Sequence, residues 1–282
     1  EMSASLVGSE MCIRDSCIRT HWISYLAGFI LVIGIKYFYS QAGCRQLQWI
    51  LAPTARWVRT LSGIPFEYDP DAGYINYDYR FIIASSCSGV RFMILSTAAL
   101  LFSFVHRMRT SWQGAAWTAF SLAFSYAATV FINGIRITAS IYIPGYARQY
   151  GLYDGWLTPG RLHTAIGIAI YFSSLFALYR MADHASGRIA PTADQSSPDS
   201  PMDTDHQKRS GAWLRDLIFR CVPPVFWYYL AVLIIPILNR AYEHDTETFV
   251  EYAMLLTVIC TAILCLLCIP SVLWKIRHKR RP

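Results

Sequence analysis

The chain has 282 residues, of which 54% are hydrophobic and 15% are charged. Soluble globular domains carry about 25% charged residues, so this composition argues against a soluble enzyme and favours a bilayer as the solvent. The net charge is +7, but the densest basic cluster, residues 275–281, directly follows an apolar block. That position is typical of a juxtamembrane anchor, so we expect these side chains to meet membrane lipid and expect no nucleic-acid partner.

The first residues of the chain are left out of the fold prediction. Residues 5–16 read SLVGSEMCIRDS, and Val7 to Ser16 match the translated end of a transposase sequencing adapter. We therefore interpret residues 1–16 as a sequencing-adapter artefact and expect the native fold to lie after them.

Six apolar segments are long enough to cross a bilayer, for which about 20 residues are needed. They lie at residues 22–39, 81–105, 115–143, 162–181, 217–238 and 249–274. Basic residues mark cytoplasmic loops, so His106, Arg107 and Arg109 place the connection between the second and third spans on the cytoplasmic side. The basic tail independently gives the same orientation. The sequence thus predicts an all-α, polytopic transmembrane bundle with about six spans.

Residues 41–80 are then expected on the outer side. Within them, apolar side chains recur at helical spacing, which predicts an amphipathic helix lying on the outer membrane surface. These side chains are Leu47, Ile50, Leu51, Thr54, Val58 and Leu61. The acidic and aromatic stretch 68–78 follows, and it is either a solvated outer loop or a lip that recognises substrate.

Composition divides the rest of the chain. Residues 17–182 are expected to form a transmembrane core, and residues 183–212, rich in Ser, Pro, Asp and Thr, a disordered cytoplasmic linker. Residues 213–282 are expected to form a two-span hairpin with a basic tail.

Three reactive side chains fall near the outer ends of predicted spans: Cys87, Arg136 and His163. Polar groups inside spans are costly and are functional hypotheses by default. A thiolate is a nucleophile, an imidazole moves protons near neutral pH, and a guanidinium stabilises an oxyanion. Together they predict a cysteine-dependent catalytic site. Each residue alone also has a non-functional interpretation. Cys87 would then be a packing residue, and Arg136 and His163 would be residues at the membrane interface.

Neighbouring residues fit a supporting role. Ser88 and Gly89 are small and would let a substrate backbone approach closely. Asn133 lies three residues before Arg136 on the same helix face, where it would fix the guanidinium or the substrate.

Two further features bear on this site. Thr158 and Pro159 predict a cap and a first residue for the helix that carries His163. A disulfide between Cys44 and Cys87, both expected outside, would disable the site. Cys265 and Cys268 form a CxxC, but it lies inside an apolar span, where we interpret it as packing rather than a metal or redox site. No Walker loop or HExxH zinc motif is found, so we expect no metal and no cofactor.

Three motifs in this order resemble the exosortase/archaeosortase family. They are Cys87-Ser88-Gly89-Val90, Asn133-Gly134-Ile135-Arg136-Ile137, and His163 followed by Gly167. The resemblance covers roughly residues 22–181, and the segments 51–56 and 63–66 lean towards the subtype called exosortase K. Arg91 departs from the pattern, which has a polar uncharged residue there, and it would contact substrate or compete with Arg136.

The resemblance implies a multi-pass enzyme of the bacterial inner membrane whose site faces the periplasm. It would cleave proteins that carry a C-terminal sorting signal, made of a short motif, a hydrophobic span and a basic tail. By this likeness Cys87 forms a thioester, His163 acts as general acid and base, and Arg136 stabilises the oxyanion. Family members are often tied to exopolysaccharide production.

Two other interpretations stay open from the residues alone. The first is a non-catalytic transporter or scaffold protein of exopolysaccharide assembly, in which Arg136 binds an anionic solute and Cys87 is dispensable. The second is an enzyme acting on lipid-linked substrates, in which Arg136 and His163 bind phosphate.

Overall fold

The computed structural model describes residues 2–108, 110–153, 155–189, 221–243 and 245–279. Seven helices occur in these ranges: α1 (Met2–Gln41), α2 (Gln48–Ser62), α3 (Val90–Phe104), α4 (Ser111–Gln149), α5 (Pro159–Ile189), α6 (Cys221–Leu238) and α7 (Thr246–Lys279). The three strands are β1 (Glu67–Asp69), β2 (Gly73–Asn76) and β3 (Phe81–Ile83). Short 3-10 turns cover Ser85–Cys87, Val105–Arg107 and Ala241–Glu243.

Six helical segments in the described ranges are long and apolar enough to cross a membrane. They are Trp22–Gln41, Ser85–Arg107, Ser111–Gln149, Pro159–Gly187, Cys221–Leu238 and Thr246–Leu267. The predicted polytopic all-α transmembrane fold is therefore confirmed. Within α6, residues Leu230–Ile234 form one π-helical stretch, just before Pro236. Proline lacks an N–H and crowds the carbonyl four residues earlier, which accounts for the local change of helix type.

The start of the second predicted span at residue 81 is wrong. Residues Phe81–Ile83 form β3, and the regular helix α3 begins only at Val90. Gly89 has a φ of +77°, a conformation that ends any helix continuing from the preceding turn. At the other end of the core, α5 continues to Ile189, past the predicted start of the linker. Residues 190–212 of that linker lie outside the described residues.

The chain separates into two compact units. The first comprises residues 1–42, 90–129 and 176–227, and its core includes Phe104, Trp117 and Tyr179. In this unit Arg107 pairs with Asp183 at 2.8 Å. The second unit comprises residues 43–89, 130–175 and 228–282, and it contains the three predicted catalytic residues.

Helix α2 is the predicted amphipathic helix. The predicted stripe from Leu47 to Val58 is fully buried, whereas Leu61 is 42% exposed, so the stripe ends one turn earlier than predicted. Gly63 ends the helix with a φ of +71°, and its N–H bonds to the Arg59 carbonyl. The position of this helix at the outer membrane surface stays a prediction.

Trp57 attaches α2 to α4. Its Nε1 donates to the Phe131 carbonyl at 3.1 Å, and its ring stacks on the Phe131 ring. A Cβ at Gly134 would lie 2.3 Å from the Trp57 ring, so this close approach requires glycine on α4.

The stretch from residue 67 to residue 83 is an antiparallel sheet in the order β1-β2-β3, in which Tyr74 pairs with Ile83. Asp69 closes the first turn by accepting from the backbone N–H groups of Ala72 and Asp71, which lowers the pKa of its carboxyl group. Gly73 has a φ of +106°, and a Cβ there would meet the Ile83 carbonyl oxygen at 2.4 Å. The stretch is thus an ordered sheet and not an irregular loop, and it leads directly to Cys87. Its role as a recognition lip stays a prediction.

Candidate active site

Cys87 lies in a tight turn between a strand and a helix. Its N–H donates to the Ala84 carbonyl at 2.9 Å, which closes the 3-10 turn Ser85–Cys87 after β3. The positive φ of Gly89 then redirects the backbone into α3. The thiol is half-buried and free. Cys44 is also a free thiol, so the disulfide that would disable the site does not form.

Asn133 on α4 holds this turn. Its side-chain Nδ2 donates to the Cys87 carbonyl oxygen at 2.6 Å, and Asn133 is fully buried. Its Oδ1 accepts from the Tyr171 hydroxyl at 2.8 Å. Since both ends of the amide are engaged, Asn133 joins the Cys87 turn to α5 and has one defined orientation.

Arg136 faces α5 one turn after Asn133. Its Nη1 donates to the Tyr171 hydroxyl at 3.4 Å, and its Nη2 lies 3.3 Å from His163 Nε2. The guanidinium also lies over the Tyr171 ring, 5.2 Å from the ring centre. Among the described residues no carboxylate pairs with Arg136, and its buried Nε has no hydrogen-bond partner there. Within the described part of the chain, the site therefore holds a guanidinium whose charge no carboxylate balances.

The contact between His163 and Arg136 indicates which ring nitrogen of His163 is unprotonated. A guanidinium has donors only, so a hydrogen bond at His163 Nε2 requires that atom to be the acceptor. The proton of the neutral ring then resides on Nδ1. The neutral ring can take up a proton at Nε2, as a general base does, only when its contact with Arg136 is released.

Helix α5 begins as the sequence predicts. Thr158 Oγ1 accepts from the Arg161 N–H at 3.2 Å, and Pro159 is the first helical residue. This capping confirms the predicted helix start and places His163 in the second turn.

The face of α5 towards Arg136 consists of His163, Gly167 and Tyr171, which are spaced four residues apart. A Cβ at Gly167 would lie 3.4 Å from Arg136 Nε, an ordinary van der Waals contact, so the guanidinium packs directly beside this position. Tyr171 was not singled out by the sequence analysis. Its spacing of eight residues from His163, two helical steps along the same face, is the signal that identifies it.

Five residues thus form one hydrogen-bonded group, the site network: Cys87, Asn133, Tyr171, Arg136 and His163. Cys87 enters it through its backbone carbonyl. Asn133, which was expected to fix the guanidinium or the substrate, reaches Arg136 through Tyr171 rather than directly.

The remaining predicted residues lie beside this network. Ser88 is buried at the end of the Cys87 turn, and Gly89 supplies the bend that follows it. Arg91 lies in the first turn of α3, is exposed, and contributes no atom to the network. Its predicted contact with substrate stays a prediction.

Comparison with known proteins confirms the family that the sequence motifs resemble. The family model described as Transmembrane exosortase (Exosortase_EpsH) matches residues 13–180, which include all five residues of the site network. No curated protein and no solved structure matches the chain. The exosortase K subtype stays a prediction. Because the matched residues make up more than half of the chain, this multi-pass membrane protein belongs to the exosortase family.

Proposed function

We propose that this protein is a membrane-embedded cysteine protease or transpeptidase that removes C-terminal sorting signals from exported proteins. The observation that carries the proposal is the site network, which ties the Cys87 turn to Arg136 and His163 through Asn133 and Tyr171. Family membership supports the same class of chemistry.

In the proposed reaction the Cys87 thiolate attacks the carbonyl carbon of the scissile peptide bond. The thiol proton passes to Nε2 of His163, which gives up its hydrogen bond from Arg136 to receive it. The Arg136 guanidinium stabilises the oxyanion that develops on the carbonyl oxygen. The C–N bond then breaks, and the leaving amine takes the proton from His163.

The product of this first half is a thioester between Cys87 and the new C-terminus of the substrate. An amine or water attacks the thioester carbonyl and gives up its proton to His163. The C–S bond breaks, and Cys87 leaves as the thiolate. Transfer results when the attacking group belongs to an acceptor, and hydrolysis results when it is water.

The direction of the site follows from charge. The basic residues of the loop at 106–109 and of the tail at 275–281 favour the cytoplasm, which supports a periplasmic position for Cys87 at the bacterial inner membrane. The substrates would be membrane-anchored proteins with a short motif, a hydrophobic span and a basic tail.

The test is a processing assay in membranes. A reporter with a candidate sorting tail is co-expressed with the wild-type protein, with Cys87→Ala, or with Cys87→Ser, and its size is followed. Cys265→Ser is the matched control, since Cys265 is an exposed free thiol on α7. We expect processing with the wild type and the control, and none with the two Cys87 variants.

Equal processing by Cys87→Ala would reject a cysteine nucleophile and favour the transporter or scaffold, in which Arg136 binds an anionic solute. Labelling of Cys87 with a membrane-impermeant thiol reagent checks the periplasmic orientation separately. Absence of labelling in intact spheroplasts, with labelling after permeabilisation, would reverse the proposed orientation.

A further inference from the structure

The helix that carries His163 is held by residues outside the family match. The match ends at residue 180, whereas α6 and α7 lie between residues 221 and 279. Glu251 of α7 forms an ion pair with Arg161, two residues before His163 on α5. The last two helices therefore touch the candidate site through its helix, at the level of the general base.

Arg161 joins three parts of the chain at this point. Its Nε donates to Glu251 Oε1, and its Nη1 donates to the Trp156 carbonyl at 2.6 Å. Its guanidinium also lies 5.7 Å from the centre of the Trp156 ring. Since Arg161 is in the first turn of α5, these contacts fix the start of the helix to α7 and to the connection that precedes it.

A second contact lies further along α5. Tyr228 of α6 is only 2% exposed, and its hydroxyl lies 3.5 Å from the Ile168 carbonyl oxygen. Its ring packs edge-on against Phe172 with 5.1 Å between ring centres. Ile168 and Phe172 directly follow Gly167 and Tyr171, so this contact supports the part of α5 that faces Arg136.

We infer that α6 and α7 are a positioning element for the site, in which Glu251 and Tyr228 set the rotation of α5. This inference rests on the proposed function. The two contacts bracket His163 and Tyr171, and a helix held at two levels has little freedom to rotate. Rotation of α5 would turn the His163 ring and the Tyr171 hydroxyl away from Arg136 together. Glu251 and Tyr228 touch no reacting atom, so they act through α5.

The test compares Glu251→Gln, Tyr228→Phe and the double variant with the wild type. Glu251→Gln keeps the shape and removes the charge, and Glu251→Asp is the conservative variant that keeps it. Glu247→Gln is the matched control, because Glu247 is exposed one turn earlier on the same helix. Tyr242→Phe, at an exposed tyrosine of the same hairpin, is the control for the hydroxyl.

Processing rates are measured over a range of reporter levels. For a partly exposed ion pair we expect kcat to fall about threefold to fivefold in Glu251→Gln and about tenfold in the double variant, with KM unchanged. Glu251→Asp should recover part of the loss, and both controls should match the wild type. A kcat equal to that of the wild type in the double variant would overturn the inference. A fall in processing rate that is fully explained by an equal fall in the amount of folded protein would also overturn it.

A second readout does not depend on processing. The rate at which Cys87 reacts with a small alkylating reagent is followed against pH by peptide mass spectrometry. A displaced His163 should shift the midpoint of this profile in the double variant and not in Glu247→Gln. Unshifted profiles would reject the positioning role even if the reporter is never cleaved. A shifted profile without any reporter cleavage by the wild type would instead count against the proposed function alone.

Discussion

The Asn133 side chain donates a 2.6 Å hydrogen bond to the Cys87 carbonyl oxygen, although the two residues are 46 positions apart. The bond fixes the turn that presents the thiol without touching the sulfur. Asn133 is fully buried, so a lost bond would leave a polar atom without water to replace its partner. The geometry of the proposed nucleophile is therefore set from α4.

Replacement of Asn133 should loosen this turn. Asn133→Ala removes the donor, and Asn133→Asp places a carboxylate oxygen against the Cys87 carbonyl. A buried group left unsatisfied costs about 1–3 kcal/mol, so we expect reporter processing to slow about tenfold to hundredfold. Thr138→Val is the control, because that hydroxyl bonds only to the Gly134 carbonyl within α4. Wild-type rates in Asn133→Ala would contradict the role of this bond.

Removal of the Tyr171 hydroxyl should separate Arg136 from Asn133. Tyr171→Phe keeps the ring under the guanidinium and deletes the oxygen that both residues use. We expect processing to fall about tenfold, the equivalent of about 1.4 kcal/mol. Tyr153→Phe, which loses a hydroxyl bonded to the Pro144 carbonyl, should process normally. Equal rates in the two variants would show that Tyr171 is only a packing residue.

A methyl group at Gly134 should displace α2. Gly134→Ala places a carbon 2.3 Å from the Trp57 ring, and overpacking of this kind costs about 1–3 kcal/mol. The unfolding midpoint of the purified protein in detergent should fall accordingly. Gly145→Ala on the same helix is the control, since a Cβ there meets no atom within 4 Å.

The same clash makes a double-mutant test possible. In a Trp57→Ala background the ring is absent, so Gly134→Ala should cost much less than it does alone. Additive losses in the double variant would mean that Trp57 does not rest on Gly134.

Glycine at position 73 should be required for the small sheet. Gly73→Ala would put a side chain on a residue with a φ of +106°, which residues other than glycine rarely adopt. Its Cβ would also lie 2.4 Å from the Ile83 carbonyl oxygen, a backbone atom that cannot easily move away. We expect limited proteolysis between residues 66 and 83 to accelerate at least about tenfold. Gly160→Ala, where space is open, should leave the cleavage pattern unchanged. Protection of the stretch in Gly73→Ala would contradict the pairing of β2 with β3.

Much of the fold could be predicted from local sequence patterns. The spans and α2 follow from apolar runs and helical spacing, both of which are visible within one segment. The strand β3 was missed because Phe81, Ile82 and Ile83 are as apolar as the span that follows. The break depends on pairing with β2, on the turn Ser85–Cys87 and on the positive φ of Gly89.

The site was predicted only in part for a related reason. Cys87, Arg136 and His163 were identified because charged and reactive groups are costly in spans. Tyr171 was missed because tyrosine is a common residue type in this chain. Its hydrogen bond to Asn133 joins two different helices, and residue spacing within one helix does not reveal such a contact. The supporting contacts of Arg161 likewise come from Glu251, 90 residues away.

The order of the site network along the chain has a consequence for biogenesis. Because synthesis proceeds from the N-terminus, the Cys87 turn reaches the membrane first, then Asn133 and Arg136, and then His163. A ribosome-bound chain that stops after α4 holds Cys87 and Arg136 but lacks His163. The site network can therefore form only after α5 has entered the bilayer.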